Sequence, residues 1–330
     1  MNLRVIKAGV LDTVQDLGRY EWQQLGINPG GAMDRWSAQV ANILVNNKKE
    51  EAILELHFPA SEFIFEEPAL ITICGANFSP NINGEEIPCS QPVLINKYSI
   101  LQFHGLRKGA RAYLAVHGGF DIPVWLNSYS TNLKAGAGGY NGRALQKDDE
   151  IALRSLTAEF HSLLGKKEFI ILPWKADTTW DENETKAISI LEGNEWDRLQ
   201  GASKENIQNQ VFAITHQSDR MGYQLQGDTL SVITNEELIS SAVSFGTIQL
   251  LPDGQLIVLM ADHQTTGGYP RVAHVISAHH SRLAQMKTGD KIRFRVTDLQ
   301  TAEELLVKQQ QHLLQLQNAC TFRLQEYFKK

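Results

Sequence analysis

The sequence predicts a mainly β protein built as two related halves, with few helices before a C-terminal one. Three observations carry this. Short β-rich segments recur along the chain between Gly, Asn, Asp and Pro. A stretch of the first half lies over a stretch of the second. The last thirty residues change character to a leucine- and glutamine-rich pattern with helical spacing.

The predicted strands are Ala69–Cys74, Val93–Ile95, Ser99–Phe103, Ala112–Val116, Phe169–Leu172, Ala187–Leu191, Val211–Thr215, Thr247–Leu250, Gln255–Met260 and Lys291–Val296. Their shortness and their turn-forming boundaries fit barrels or sandwiches. The clearest early helix runs from Ala32 to Val45, where Trp36, Val40, Ile43 and Leu44 recur at helical spacing, with Gly30-Gly31 opening it and Asn46-Asn47 closing it. For the duplication, the apolar run before Gly75-Ala76-Asn77 matches the run before Ala261-Asp262-His263, and Lys147-Asp148-Asp149-Glu150-Ile151 matches Thr288-Gly289-Asp290-Lys291-Ile292. These signals divide the chain into residues 1–160, 161–300 and a helical extension 301–330, the tail packing within the chain through Leu305, Leu306, Leu313, Leu314, Leu316 and Leu324.

With 330 residues, 42% of them hydrophobic, the chain can bury two sizeable cores. A net charge of −6 and no lysine or arginine block exclude a nucleic-acid or anionic-membrane surface, leaving small molecules and other proteins as partners. No apolar run approaches the roughly 20 residues of a membrane span, and the first residues lack a signal-peptide core, so a cytoplasmic location is expected. Three cysteines without Cys-x-x-Cys spacing support neither a disulfide framework nor a zinc knuckle.

One stretch reads as a site. The apolar run Leu256–Met260 empties into Ala261-Asp262-His263-Gln264-Thr265-Thr266-Gly267-Gly268-Tyr269-Pro270, a polar, glycine-rich loop closed by proline. An ordinary turn is the competing reading, but a turn seldom needs Asp, His, Gln and two Thr together. Asp262 can serve as acid, base or Mg²⁺ ligand, or it can cap its own loop. Gln264, Thr265 and Thr266 offer neutral hydrogen bonds suited to an amide or lactam, and Gly267-Gly268 lets backbone N–H groups approach an anion. His263 is read as structural. So is the His279-His280 pair, which lacks metal-site companions and is expected at the surface.

Val10-Leu11-Asp12-Thr13-Val14-Gln15-Asp16-Leu17-Gly18-Arg19 followed by Gly30-Gly31-Ala32-Met33-Asp34 resembles the opening of the biotin-dependent carboxyltransferase-like family that includes the C-type component of 5-oxoprolinase. Further landmarks occur in order: Arg111-Ala112-Tyr113-Leu114-Ala115-Val116-His117-Gly118-Gly119, Ser218-Asp219-Arg220-Met221-Gly222-Tyr223, Gly246-Thr247-Ile248-Gln249 and the Asp262–Pro270 loop. The resemblance implies two cyclophilin-like β-barrel domains. It also implies a subunit that acts with a sister B-type subunit and a lactam-opening A-type subunit, converting 5-oxo-L-proline, ATP and water to L-glutamate. ATP, with Mg²⁺, is then held in the complex.

Opening a lactam needs an activated carbonyl, and phosphorylating its oxygen provides one; the transfer calls for cations and N–H donors around phosphate. Arg220 is the best-placed cation by motif, able to serve either the site or an ion pair, and Asp219 and Asp34 join the substrate-binding candidates. Asp34, near a helix start, has a strong structural alternative, and Arg19 is read as scaffold. The glycine-rich Ala135–Arg143 stretch lacks the Gly-Lys-Ser/Thr ending of a phosphate loop, so no residue is assigned to a cofactor. Met286-Lys287 lacks the following Met of a biotin turn, and no covalent biotin is expected. Two alternatives remain open: the carboxyltransferase component of a urea-carboxylase or allophanate-type system, and a regulatory protein that antagonises a kinase inhibitor.

Overall fold

The computed structural model describes residues 2–154, 163–178, 187–234 and 237–328, and they form a mainly β protein. The predicted boundary at 160/161 lies outside the described residues. Two compact units are present, and they are discontinuous in sequence. The first comprises Met1–Gly18, Asp34–Trp180 and Gln310–Lys330; the second comprises Arg19–Met33 and Asp181–Gln309. Contiguous halves with a separate tail do not describe this exchange of segments.

The first unit holds two six-stranded sheets. One has the order 150–152, 2–7, 62–65, 99–103, 80–82, 85–86; the other has 169–171, 93–95, 69–77, 108–116, 53–57, 13–15. Ala69–Asn77 is paired on both sides, by Val93–Ile95 and by Lys108–Val116. With one face on the core between the sheets and the other under a helix, this strand has no wet face, which is why its sequence is a continuous apolar run and not an alternation. Leu54, Leu56, Ile71, Ile73, Ala112 and Leu114 point into the core between the sheets. At about 1.5–3 kcal/mol for each buried large aliphatic chain, these few residues alone outweigh most single polar contacts.

Helix α1, Arg35–Leu44, packs on the opposite face of that sheet, against the 69–77 and 108–116 strands. It starts three residues later than predicted. Gly30 and Gly31 have φ of +61° and +94°, and Asp34 is non-helical, so Ala32 and Met33 lie in the turn that precedes the helix. Asp34 is the N-cap: its Oδ1 accepts from Ser37 N at 2.9 Å and its Oδ2 from Ser37 Oγ at 2.6 Å. Its own N–H donates to Tyr113 Oη at 2.7 Å, and that hydroxyl donates to Glu55 Oε2 at 2.8 Å. Burial holds the Tyr113 phenol well above its ordinary pKa, so it remains a donor.

In the second unit eight strands form a nearly closed barrel sheet in the order 291–292, 212–214, 222–226, 256–259, 247–250, 271–275, 188–192, 294–296. All neighbours are antiparallel except Ile188–Glu192 with Phe294–Val296. Helices α2, Gly201–Asn209, and α3, His280–Ala284, belong to this unit and lack a periodic signature long enough to be read from sequence. His279 is not at the surface, and His280 is half-buried. His279 is fully buried, its Nδ1 accepts from Ser189 N at 2.9 Å, and burial together with Arg282 and Arg295 lowers its pKa to about 4. His280 stacks edge-on against Phe245 with ring centroids 4.4 Å apart.

Helix α4 covers Leu299–Phe328. Within the first unit it buries Leu313, Cys320 and Leu324, places Tyr327 against Trp174 at 5.8 Å between ring centroids, and bonds Thr321 Oγ1 to Asn46 Oδ1 at 3.1 Å. Packing within the chain is as expected, but Leu314 does not share in it: it is 58% exposed.

Candidate functional site

Two β-strands of the second unit build the centre of the site. Gly222–Gln226 pairs with Leu256–Leu259, Gly222 opposite Leu259, and the ladder continues beyond that pair. Met260 N donates to Met221 O at 3.0 Å and Asp262 N to Arg220 O at 2.8 Å. This register brings Arg220 and Asp262 together across 42 residues of sequence. The guanidinium then grips the carboxylate at two points, Nε to Oδ2 at 2.8 Å and Nη2 to Oδ1 at 3.1 Å. The Arg220 side chain is 7% exposed and that of Asp262 17%, so the pair is shielded from water yet reachable at the carboxylate end.

The segment from Arg19 to Met33, far away in sequence, closes the site. Arg220 Nη2 donates to Gly31 O at 2.7 Å, and Asn28 Nδ2 donates to Asp262 O at 3.1 Å. Arg19 is buried, and its N–H donates to Pro29 O at 2.7 Å. A Cβ on Gly30 would stand 3.2 Å from Arg19 Nη1 and 3.5 Å from Asp262 Oδ1. The missing side chain therefore leaves a gap of methyl size between a cation and a carboxylate, in a backbone conformation that glycine adopts freely. Two arginines and one carboxylate give this spot a net positive charge, suited to an anionic or strongly polarised oxygen with a carboxylate alongside it.

Beyond Asp262 the loop turns into a second polar group. His263 is buried, its Nδ1 2.6 Å from Gln264 O, in the structural role expected of it. Gln264 Nε2 donates to Gln249 Oε1 at 3.4 Å, and Gln249 is itself buried. Thr247 Oγ1 lies 3.2 Å from His274 Nδ1, whose pKa is lowered by burial. Thr266–Gly267 pairs with Ser241–Ala242, and Val243 N donates to Thr265 O at 3.2 Å, so these residues form a two-stranded ribbon. Arg271 holds the ribbon by donating Nη1 to Ala242 O at 3.3 Å, while Glu195 grips its Nε and Nη2 at 3.1 and 2.9 Å. The far end of the loop, Gly268-Tyr269-Pro270, borders a cavity of about 770 Å³ with Arg198, Leu238 and Gly254; Asp262 does not line it.

The remaining candidates have structural work. Asp219 Oδ1 accepts from Met221 N at 2.7 Å and Gly222 N at 3.2 Å, shaping the turn that presents Arg220. Asp34 belongs to the first unit, fully buried as the cap of α1. Sequence reasoning does not single out Asn28, Gly30 or Gln249 as site members. The turn composition of Asn28-Pro29-Gly30-Gly31 is visible, but nothing local says which strand it meets. Among the described residues, no three His, Cys, Asp or Glu side chains gather as a metal-binding group, and no helix is long and apolar enough to cross a membrane.

Comparison with known proteins gives a consistent result. Residues 25–296 match the family described as carboxyltransferase domain, subdomain A and B. The C-type component of the Escherichia coli (strain K12) 5-oxoprolinase is 34% identical over 314 residues, covering 95% of this chain and 97% of that protein. Its counterpart in the Haemophilus influenzae 5-oxoprolinase is 33% identical over 304 residues, covering 92% and 94%. Among solved structures, the K. lactis urea amidolyase superposes with a TM-score of 0.86 at 25% identity over 96% of this chain, which spans 20% of that larger protein.

Proposed function

The chain belongs to the carboxyltransferase-domain family of subdomains A and B, and on that premise we propose that it is the C-type subunit of an ATP-dependent 5-oxoprolinase. With a B-type sister subunit it phosphorylates the lactam oxygen of 5-oxo-L-proline, and an A-type subunit opens the ring to L-glutamate. The observation that carries the reading is the Arg220–Asp262 pair facing the gap at Gly30. The near full-length similarity to two proteins named as C-type components of 5-oxoprolinase supports it.

In this reading the lactam carbonyl oxygen enters the gap between Arg19 and Asp262. Arg19 and Arg220 stabilise negative charge around the transferring phosphoryl group. Asp262, fixed by its fork to Arg220, accepts a hydrogen bond from the lactam N–H and orients the ring. As the oxygen attacks the terminal phosphorus of ATP, the bond to ADP breaks and the ring nitrogen gives up its proton; one water then adds to the activated carbon and the C–N bond breaks to leave an acyl phosphate, which a second water hydrolyses to the carboxylate and free phosphate. Asp262 is the carboxylate this site would offer to a nucleotide-borne Mg²⁺, which would neutralise charge on the phosphates when bound. Met286 O accepts from Tyr223 Oη at 3.1 Å and Lys287 N donates to Asp290 Oδ2 at 2.9 Å, the contacts of a turn.

The test is lactam-dependent ATP turnover by this chain alone, by the chain with its sister subunit, and by the pair carrying Asp262→Ala. Turnover only in the pair, reduced about 100-fold or more by the substitution, is expected. No turnover in an assembled pair overturns the reading. It favours instead the second one, carboxyl transfer of the urea-carboxylase type with a biotin carrier on another chain, which the likeness to K. lactis urea amidolyase supports. A regulatory protein that antagonises a kinase inhibitor predicts no turnover with either substrate.

A further inference from the structure

Helix α4 has one face against its own unit and a second face with an unusual composition. From Gln309 to Phe322 the chain contains no Asp, Glu, Lys or Arg. Exposed helix faces of soluble proteins normally alternate charges. Gln311, Leu314, Asn318, Phe322 and Gln325 are all exposed, and at ~100° per residue they fall in one stripe about 80° wide. Leu314 and Phe322 are each 58% exposed, large apolar side chains left in water. Leu313, Cys320 and Leu324, on the opposite side, are buried, so the stripe is a second surface of the helix and not an extension of its core face.

The stripe is also symmetric in sequence. Counting outward from Asn318, Leu314 and Phe322 lie four residues to either side and Gln311 and Gln325 seven to either side. An antiparallel pair of such helices about a two-fold axis at Asn318 sets Asn against Asn, Leu against Phe, and Gln against Gln. Each amide carries both donors and an acceptor, so it pairs with its own kind, and each apolar chain meets another. A self-complementary patch of this sort is what a two-fold interface requires. Charge points the same way. Two copies of a chain with net charge −6 repel across most of their surface, and a stripe without charge is where they approach at least cost.

We propose that the Gln311–Gln325 face of α4 is a self-association surface, joining two copies of this chain through antiparallel helices centred on Asn318. The inference is independent of the proposed reaction. The stripe is only ~21 Å long, so it supplies an interface at or below the small end of specific ones and the dimer is a weak one.

Sedimentation velocity of the full chain from ~1 to ~200 µM tests it, in the concentration range of a weak complex. The average mass is expected to rise from 37.0 kDa toward twice that value. Leu314→Glu alone and Phe322→Lys alone each weaken association at least tenfold. The two together restore it, because residues 314 and 322 face each other across the axis. As a second measurement, Asn318→Cys forms an oxidised cross-linked dimer, whereas Gln310→Cys, exposed but off the stripe, and the unmodified chain do not. Circular dichroism confirms that each variant is folded. A chain that stays monomeric throughout overturns the proposal, and so does a dimer indifferent to these substitutions. A monomer that uses this face only to capture the sister subunit overturns it as well.

Discussion

Arg220 closes on Asp262 from two directions, Nε 2.8 Å from Oδ2 and Nη2 3.1 Å from Oδ1, while the same Nη2 holds Gly31 O at 2.7 Å. One side chain therefore fixes both the carboxylate and the glycine turn that faces it. Lysine has no planar fork and can satisfy one of these contacts at a time. Arg220→Lys is expected to lower stability by about 1–3 kcal/mol and turnover of the assembled complex about 10–100-fold. Urea unfolding and steady-state rates check this; an unchanged rate removes the fork from the reaction.

Gly30 tests the gap itself. Alanine there must adopt φ near +61° and put its methyl 3.2 Å from Arg19 Nη1. About 1–2 kcal/mol of backbone strain follows, and the space beside Asp262 is filled. Gly30→Ala is expected to weaken substrate binding, seen as a raised KM, more than it lowers the melting temperature. A melting temperature that falls by many degrees with KM unchanged assigns Gly30 to the fold alone.

Asp12 gives a pH signature in the first unit. Burial lifts its pKa from 3.8 to about 6, against the hydrogen bonds it accepts from Ser61 and His57. Between those two values the unfolded chain gives up this proton before the folded one does. The contribution of Asp12 to stability therefore falls as pH rises through the window, by about 3 kcal/mol in all, and is level above it. Asp12→Asn has no such slope. The stability difference between native chain and variant should be larger at pH 4 than at pH 7, by urea unfolding at both, and a pH-independent difference refutes the assignment.

Glu195 behaves in the opposite sense. Burial raises its pKa, but the hydrogen bonds from Arg271 outweigh this and leave it below the ordinary value of 4.5. Its contribution is present above that value and is lost on acidification. Glu195→Gln keeps the shape, breaks the ion pair and frees Arg271 from its place under Ala242 O. Stability should drop by about 1–2 kcal/mol at pH 7 and less at pH 3. Amide exchange at Val243, which donates to Thr265 O, should accelerate; an unchanged rate shows that the ribbon does not depend on this pair.

Much of the β architecture is legible because buried strands need unbroken apolar runs, and all ten predicted segments overlap observed strands. Strands of mixed composition are not. Asn2–Lys7, Glu62–Phe65 and Gly222–Gln226 mix polar and apolar residues and become strands through their partners. The start of α1 is hidden because Gly30-Gly31 looks like a helix opening, whereas its left-handed backbone serves the turn at Asp262.

The sequence by itself determined a mainly β chain, the helical tail, the family and the place of the polar loop after Leu256–Met260, since each is written in local periodicity, turn chemistry or an ordered set of motifs. Only the tertiary structure decided that residues 19–33 belong with the second unit, that Asn28 and Gly30 stand at Asp262, that Asp34 is a cap, and that Leu314 faces water. Those facts depend on which groups separated by tens to hundreds of residues are placed side by side. Ladder register and packing fix that, and neither leaves a mark on the neighbouring residues in the chain.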